Sequence, residues 1–493
     1  MDKHRMLATN FLPSLGNILF ISLLFASYLL GGRMLSIDSD IGRHLALGNF
    51  MLDTHSIPLE NILSHTKSGE SRPPYEWGAQ VLFAMAFRLA GLDGVILLTS
   101  LVISSTFLIL YHESVKLTEA PISSILITIL AASASSIHWL PRPHIFTLLF
   151  LLLWIIQLEK FTNPNWIFFL CLSLIMAVWA NLHGGFIFGF LAWFAYFVGE
   201  LWEFAYNGNR DGSRIIKFLI AGALITIASF LTPDGWGNWS AVFSNNSKYI
   251  LQNTLETMSP NFHEIGMAPF MILIALSIAI PALSRTPVRA GRVFLTTGMA
   301  IMGLFMARNI PLFAISATFM LSQCSGTIIK NIKSLKNLEF RFLEIQKQIH
   351  ENFWTTLFAV GFIMTIIAGF LSRGESRNQF NPKVFPVDAV KWLQANPQKG
   401  NMFNEFNWGG YLEFQLTPDQ KVFLDSQTDF YGETLTRDYN QIINAQNDWE
   451  TKLKKYDIDW VIVPGDAPLA QALEVEYHWR ILYQDDTSVI LRK

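Results

Sequence analysis

The sequence predicts a polytopic α-helical membrane protein of about eleven transmembrane helices, followed by a small α/β domain. Three observations predict this fold class. Hydrophobic residues make up 51% of the 493 residues and charged residues only 15%, whereas soluble domains carry about 25% charge. Apolar runs of helical length recur up to residue 372. After that residue the composition becomes charged, which indicates a domain in water.

Spans in lipid must satisfy every backbone polar group internally, so each is a helix of roughly 20 apolar residues. Trp77–Ala90 is a shorter apolar segment that contains Arg88, and we interpret it as an interfacial helix. Residues 331–352 are polar and basic, which is typical of a helix on an anionic membrane surface. The predicted spans are 12–32, 94–112, 121–138, 144–159, 165–181, 184–203, 215–232, 268–284, 292–308, 310–329 and 353–372.

The distribution of basic residues predicts the orientation of the chain. With the N-terminus in the cytoplasm, the cytoplasmic segments hold fifteen Lys and Arg residues, and the outer segments before residue 373 hold eight. Basic residues concentrate in cytoplasmic loops, so we expect this orientation. Residues 1–372 then form the transmembrane domain, with a long first outer loop at 33–93, and residues 373–493 are extracytoplasmic. The net charge of −2 gives no reason to expect nucleic acid as a partner.

Strand and helix patterns alternate within residues 373–493, which hold 13 Lys and Arg and 18 Asp and Glu. Lys421–Asp425 and Trp460–Val463 are short runs of the β type, and Val387–Asn396 and Asp448–Tyr456 have helical patterns. This alternation predicts a small α/β domain.

Ionisable residues collect at the outer ends of the predicted spans, where they usually mark a function because placing them there is costly. The candidates are Asp38, Asp40, His44 and Glu76 in the first outer loop, His138, Arg142 and His144 in the second, His183 in the third, Asp234, Glu256, His263 and Glu264 in the fourth, and Arg308 in the fifth.

These residue types suit the transfer of a sugar. A carboxylate can deprotonate an acceptor hydroxyl or amine as it attacks a sugar carbon, and arginine can hold a phosphate leaving group. Asp40 is the preferred base because it precedes His44 by four residues and shares its helix face, whereas Asp38 would face away or cap the helix. Arg142 and Arg308 are predicted to bind the phosphate of a lipid-carried donor.

The remaining candidates are predicted to assist at this site, His144 and His183 beside the phosphate. Structural interpretations stay open for all of them. Asp38 and Asp40 suit N-caps, Arg142 and Arg308 suit anchors at the membrane surface, the histidines suit packed side chains, and Glu76 suits an interfacial anchor. Nucleotide-binding, Ser-x-x-Lys and zinc motifs are absent from the sequence.

Short motifs spread along the chain form a recognisable pattern: Asp38–His44, Gly48, Ile57-Pro58, Ser64–Thr66, Glu76-Trp77, Arg142–His144, Asn181–Gly184, Thr232–Gly235, Arg308–Pro311, Asn404–Tyr411 and Val422–Asp425. In these segments the sequence resembles a bacterial branch of the GT-C glycosyltransferase superfamily, whose members are membrane enzymes related to protein mannosyltransferases and lipid A aminoarabinose transferases. It departs from the family pattern at Gln427, where that pattern has an arginine.

The resemblance implies a polyprenyl-phosphate-linked sugar donor, attack from the outer face, inversion at the anomeric carbon, and an acidic base after the first span. It implies a multi-pass protein of the bacterial cytoplasmic membrane that transfers a hexosyl or pentosyl group to a glycan, lipid or protein. A divalent metal, Mg²⁺ or Mn²⁺, is left open. Two other functions are kept as alternatives: a transporter or flippase of a lipid-linked saccharide, and a polysaccharide polymerase or ligase.

Overall fold

The computed structural model describes residues 13–72, 75–161, 164–206, 212–244, 255–349 and 353–493. Four of the basic residues used to predict the orientation, Lys3, Arg5, Arg210 and Lys248, lie outside these ranges.

Helices dominate the chain up to residue 372, here called the helical domain. Its helices are α1 (Leu15–Leu29), α2 (Gly31–Ile37), α3 (Asp40–Thr54), α4 (Trp77–Thr118), α5 (Pro121–Ser135), α6 (His144–Glu159), α7 (Trp166–Leu182), α8 (Ile187–Tyr206), α9 (Ser213–Ser229), α10 (Trp236–Ser244), α11 (Ala268–Ser284), α12 (Ala290–Phe305), α13 (Ile310–Asn331), α14 (Lys333–Gln348) and α15 (Phe353–Leu371).

Each of the eleven predicted spans contains a helix. Within the described residues, however, six helices are long and apolar enough to cross a membrane, or seven if α1 and α2, which meet at a bend of 52°, form one span. Helices α6, α7 and α12 are apolar but have only 16, 17 and 16 residues. At 1.5 Å per residue they reach about 24–26 Å, less than the roughly 30 Å of a bilayer core. The structure therefore gives six or seven clear spans instead of eleven.

The predicted interfacial helix Trp77–Ala90 is the first part of α4, a helix of 42 residues. It is separated from the second part by non-helical backbone at Ala90 and Gly91, where Gly91 has a φ of +59° that favours glycine. Arg88 is tolerated because its guanidinium donates to the Asp53 carboxylate of α3 at 2.6 Å. The first part of α4 therefore packs against α3.

The C-terminal domain, residues 373–493, is the predicted small α/β unit. Its four-stranded sheet has the order β1-β2-β4-β3, with β1 parallel to β2 and the other neighbours antiparallel. The predicted strand at Trp460–Val463 lies within β2. The elements are α16 (Val387–Ala395), β1 (Asn401–Asn404), α17 (Gly409–Leu416), α18 (Thr428–Ile443), α19 (Trp449–Lys455), β2 (Ile458–Val463), α20 (Pro468–Val475), β3 (Arg480–Gln484) and β4 (Val489–Arg492).

The other predicted strand, Lys421–Asp425, is wrong. Val422 forms only an isolated parallel bridge to Ser64 of the first outer loop. The backbone N–H groups of His65 and Val422 donate across this junction to the carbonyls of Val422 and Leu63, each at 3.0 Å. The backbone groups that would pair in a strand ladder are therefore used to join the two domains.

The domains share an apolar core as well as this bridge. One cluster of buried residues runs from Phe20, Leu24 and Phe83 of the helical domain to Trp408 and Trp460 of the C-terminal domain. Because burial of apolar surface is the main favourable term in folding, the C-terminal domain is held as a continuation of the helical domain.

A buried carboxylate fixes the connection between the two domains. Asp93 of α4 is fully buried and accepts hydrogen bonds from the backbone N–H groups of Arg377 and Asn378, at 2.7 and 3.1 Å, and from the hydroxyls of Tyr28 and Ser376. The start of the C-terminal domain is thereby tied to α1 and α4.

Helix α3 and helix α17 approach each other through two glycines. A Cβ on Gly42 would collide with the carbonyl oxygen of Gly410, and a Cβ on Gly410 would collide with that of Ser39. The close approach places the N-terminal end of α3 directly against the C-terminal domain.

We predict that Gly42→Ala lowers stability by about 1–3 kcal/mol, because an added methyl group must force two helices apart. Thermal unfolding in nanodiscs, followed by tryptophan fluorescence, measures the effect. Gly32→Ala is the matched control, because Gly32 also lies in a helix but has no atom within 4 Å of an added Cβ. Equal melting temperatures for the two variants would contradict the proposed contact.

Candidate active site

The two aspartates of the first outer loop lie where α2 ends and α3 begins. Asp38 follows α2, and Asp40 is the first residue of α3. Asp38 Oδ1 accepts the backbone N–H of Asp40 at 3.0 Å, so it satisfies one of the free donors at the start of the helix. The N-cap position itself is occupied by Ser39, and the contact of Asp38 Oδ1 leaves Oδ2 for other groups.

Arg142 lies in the turn between α5 and α6, as the flanking prolines predicted. Each of its three guanidinium nitrogens faces a different carboxylate. Nε lies 3.0 Å from Asp38 Oδ2, Nη1 lies 2.5 Å from Glu256 Oε1, and Nη2 contacts Asp40 Oδ2. The structure thus brings together four of the candidates from the sequence, Asp38, Asp40, Arg142 and Glu256.

The C-terminal domain supplies the remaining partners of Asp40. Ser426 donates its hydroxyl to Asp40 Oδ1. Arg43 bridges the domains, since its Nη2 lies 3.6 Å from Asp40 Oδ2 and its Nη1 lies 3.6 Å from Asp425 Oδ1. Asp40 is therefore in contact with groups from both domains. Next to Asp425, burial and the charge of that residue raise the pKa of Glu413 well above its usual value, because two neighbouring buried carboxyls resist ionising together.

Glu76 and two histidines form a second group beside this one. Glu76 Oε2 lies 3.8 Å from His44 Nδ1, and Glu76 Oε1 lies 3.8 Å from His183 Nε2. His183 Nδ1 accepts the backbone N–H of Gly185 at 3.0 Å and the Thr147 hydroxyl at 2.8 Å. The proton of neutral His183 is therefore on Nε2, which faces Glu76.

Burial controls the charges of this group. It raises the pKa of Glu76 to about 7, with Arg43 acting in the opposite direction. It lowers the pKa of His183 to about 3 and that of His44 well below its usual range. Both histidines are therefore neutral at physiological pH, and Glu76 is poised between its two protonation states.

His138 and His144 stack on one another at the same turn as Arg142. Their ring centroids are 4.1 Å apart, and His144 Nε2 lies 2.7 Å from the His138 carbonyl. The ring of His144 is also 6.5 Å from that of His183. These contacts place both histidines at the site and give each a packing role.

Arg308 is the exposed cation of the region. It lies in the turn Ala307–Asn309 between α12 and α13. In the part of the chain that the structure describes, its side chain has neither an ion pair nor a hydrogen bond. Its charge nevertheless contributes to the low pKa of His183, so it lies near the candidate site.

Gln427, the departure from the family pattern, contacts an arginine from another segment. Arg72 of the first outer loop donates to the Gln427 side-chain oxygen and, at 3.3 Å, to Asn61 Oδ1. The Gln427 amide donates to Tyr75 Oη at 3.0 Å. Arg72 was missed in the sequence because nothing local marks it.

A cavity of about 460 Å³ opens between the two domains. Ser36 and Asp38 line it from the helical domain, and Lys383, Glu405, Ser426 and Thr487 line it from the C-terminal domain. Its size is that of a small-molecule site. Asp38 lines this cavity, whereas Asp40 does not, and Asp40 has only 3% of its side chain exposed against 15% for Asp38.

The charge of Asp38 depends on its surroundings. Burial raises its pKa above the usual value, and the Arg142 guanidinium opposes this shift. Glu256 differs: burial alone would raise its pKa, but the charges of Arg142 and His138, the hydrogen bond from Arg142 and a smaller contribution from Arg308 together lower the pKa below its usual value.

Carboxylates are the kind of ligand that Mg²⁺ and Mn²⁺ prefer, and three of them lie at this site. The carboxylates of Asp38, Asp40 and Glu256 converge on the Arg142 guanidinium, so a cation of the protein lies at the point they share. Within the described residues, no three His, Cys, Asp or Glu side chains are arranged to hold a metal ion. These residues therefore do not fit Mg²⁺ or Mn²⁺.

Two candidates lie outside the cluster. His263 and Glu264 are exposed, and the contact of the Glu264 carboxylate is with Asn261 of its own loop, at 3.2 Å. Four residues of the cluster were not among the predicted site residues: Arg43, Asp425, Ser426 and Arg72. Asp425 ends a matching segment of the family pattern, which is the one signal that marked it.

The sequence matches no protein-family model and no curated protein. The fold, however, is similar to that of the oligosaccharyltransferase AglB from Archaeoglobus fulgidus in complex with an inhibitory peptide and a dolichol-phosphate. The TM-score is 0.57 at 10% identity, over 93% of this chain and 70% of that chain.

The apo form of the Archaeoglobus fulgidus oligosaccharyltransferase gives a TM-score of 0.59 at 9% identity, over 97% of this chain and 71% of that one. Apo ArnT from Cupriavidus metallidurans covers 96% of this chain and 97% of its own, with 10% identity and a TM-score of 0.48. The chain therefore shares its fold with the Archaeoglobus fulgidus oligosaccharyltransferase structures, which agrees at the level of fold with the resemblance found in the sequence.

We predict that Glu76→Gln changes how stability depends on pH. The pKa of Glu76 is about 7 in the folded protein and about 4.3 in an unfolded chain, so folding takes up a proton between these values. The wild type therefore loses stability as the pH rises from about 5 to about 8, and the Gln variant lacks this loss. Melting temperatures across this range measure it, with Glu60→Gln, an exposed carboxyl of the same loop, as control. Parallel curves for wild type and Glu76→Gln would contradict the assignment.

Proposed function

We propose that this protein is a glycosyltransferase that moves a sugar from a polyprenyl-phosphate-linked donor to an acceptor at the outer membrane face, with inversion at the anomeric carbon. The observation that carries the proposal is the contact between Asp38, which lines an open cavity, and the guanidinium of Arg142. A proton acceptor and a phosphate-binding cation are then adjacent in one site.

Asp38 is the base in this proposal, instead of the Asp40 preferred from the sequence. The oxygens of both aspartates are in contact with neighbouring groups, but the Asp40 side chain is only 3% exposed and does not line the cavity. A base must reach the proton that it removes, and Asp38 lines the cavity in which an acceptor would bind. Asp40 acts as a positioning residue that holds Arg142.

The reaction is a single displacement. The acceptor oxygen or nitrogen attacks the anomeric carbon as its proton passes to Asp38, and the bond between that carbon and the phosphate oxygen breaks. The polyprenyl phosphate leaves with the bonding electrons, and its added charge is stabilised by Arg142 and Arg308. Attack opposite the leaving phosphate inverts the anomeric carbon.

The cavity between the two domains suits the acceptor, because its walls are polar and come from both sides. The donor lipid is expected on the membrane side, where the turns that carry Arg142 and Arg308 lie. We propose that this face is extracytoplasmic, and the fifteen-to-eight distribution of basic residues supports it. A bacterial cytoplasmic membrane follows from the sequence resemblance.

The similarity of fold also bears on the alternative of a polysaccharide ligase, because the similar structures include an oligosaccharyltransferase. Such an enzyme would use the same base and the same phosphate site with a longer donor. A transporter or flippase would need the cations but no base, so the following prediction separates it from both transferases.

We predict that Asp38→Asn lowers kcat about 10²–10⁴-fold, the contribution of a general base, while binding of undecaprenyl phosphate is retained. Transfer from a set of radiolabelled polyprenyl-phosphate sugars measures the rate. Asp40→Asn is the comparison, and it should lower the melting temperature because it leaves Arg142 and Arg43 with fewer partners. An active Asp38→Asn beside a stable but inactive Asp40→Asn would reverse the assignment. Full activity of both would favour the transporter.

We predict that Arg308→Gln weakens binding of undecaprenyl phosphate about tenfold to a hundredfold, because a charge-assisted contact contributes roughly 1.5–3 kcal/mol. The dissociation constant in nanodiscs measures this loss, and the melting temperature should stay unchanged because Arg308 is exposed. Arg285→Gln is the control, since Arg285 is also exposed but lies at the opposite ends of the helices. Equal affinities for the two variants would remove Arg308 from the site.

A further inference from the structure

Of the three carboxylates that contact Arg142, Glu256 is the one that can move away from the guanidinium. Asp38 and Asp40 are fixed where α2 meets α3, and each also makes a hydrogen bond within its own domain or to Ser426. Glu256 lies in a short turn, Leu255–Thr257, and 36% of its side chain is exposed. Glu256 Oε1 accepts a hydrogen bond from Arg142 Nη1, at 2.5 Å.

The segment that carries Glu256 is attached to the turn that carries Arg308. The backbone N–H of Ala307 donates to the Met258 carbonyl at 3.0 Å, and the Ser259 hydroxyl donates to the Phe305 carbonyl at 3.3 Å. The Glu256 carboxylate is therefore held beside Arg142 while it feels the charge of Arg308, which contributes to its lowered pKa. The Glu256 carboxylate therefore already interacts with the positive charges of both Arg142 and Arg308.

We infer that Glu256 occupies, in the donor-free protein, the place on Arg142 that the phosphate of the polyprenyl lipid takes. This inference rests on the proposed function. A carboxylate and a phosphate offer a guanidinium the same pair of acceptor oxygens, so they compete for Nη1. Binding of the lipid phosphate exchanges one anion for the other, and the return of Glu256 to Arg142 assists release of the product.

The exchange explains why a phosphate site contains a third carboxylate. Asp38 and Asp40 already contact two of the guanidinium nitrogens of Arg142. Nη1 is the nitrogen whose partner is Glu256, and a partly buried donor without a partner is costly, so Glu256 removes this cost until the lipid binds. The two aspartates cannot play this part, because one is the base and the other is enclosed. A glutamate on a separate segment can leave without disturbing either.

The test measures the affinity of full-length protein in nanodiscs for undecaprenyl phosphate, which carries the phosphate but no sugar. Glu256→Gln should bind it about tenfold more tightly than wild type, because the competing anion is gone. Glu264→Gln, the same change at an exposed position of the same loop, should bind as wild type does. The gain should disappear when Glu256→Gln is combined with Arg142→Gln, as expected for two residues that share one interaction.

The outcomes separate this inference from the proposed function. If Arg142→Gln and Arg308→Gln both weaken binding but Glu256→Gln binds as wild type or more weakly, the role of Glu256 is overturned and the phosphate site stands. If neither arginine variant weakens binding, the phosphate site is overturned, and the inference fails with it. Arg308 is exposed, so its variant reports on binding even where Arg142→Gln impairs folding.

Discussion

The structure of the site depends on the compensation of one buried guanidinium. Arg142 contacts Asp38, Asp40 and Glu256, which come from two different connecting segments, while Arg142 itself lies in a third. Removing one partner from a buried ion pair costs about 3–5 kcal/mol. Moving any one of the three segments away would separate Arg142 from a partner at this free-energy cost, so the three segments are held in one arrangement.

The C-terminal domain belongs to this arrangement and is not an appendage to it. Arg43 connects Asp40 to Asp425, and Ser426 bonds Asp40 directly. The glycine contact between α3 and α17 permits this approach, since side chains at Gly42 and Gly410 would keep Ser426 away from Asp40. The shared apolar core then fixes the two domains in the position that these contacts need.

The sequence predicted the helices and several site residues, and the reasons for success and failure differ. Apolar runs mark helices locally, so each predicted stretch contains one. Asp38, Asp40, Arg142 and His183 were found because charge at the end of an apolar run is unusual. Ser426 could not be found in that way, because it lies 386 residues from Asp40 and its neighbours are those of an ordinary polar segment.

One error in secondary structure has a clear origin. Lys421–Asp425 has the composition of a strand, but its backbone pairs with residues 63–65 instead of the sheet. That outcome depends on a contact between segments distant in sequence. The predicted eleven spans are confirmed only in part, with six or seven clear spans among the described residues, because an apolar composition does not fix helix length.

Gln427 shows how a departure from the family pattern is accommodated. Its side-chain oxygen accepts from the Arg72 guanidinium. An arginine at position 427 would place a second cation beside Arg72 and would remove one of the two side-chain oxygens that accept from Arg72, leaving only Asn61 Oδ1. Gln427, which stands where the family pattern has an arginine, and Arg72 therefore complement each other. Together they leave a single guanidinium at this edge of the site.

The charge around Arg142 is conserved over the proposed reaction, and this follows from where its partners lie. Before transfer, Asp38 carries one negative charge and the phosphodiester of the donor carries another. After transfer, Asp38 is neutral because it holds the acceptor proton, and the lipid phosphate carries two. The charge thus moves from one side of the guanidinium to the other without changing in total. A fixed cation between base and leaving group stabilises both states, and the delocalised guanidinium, with donors on each side, is suited to that position.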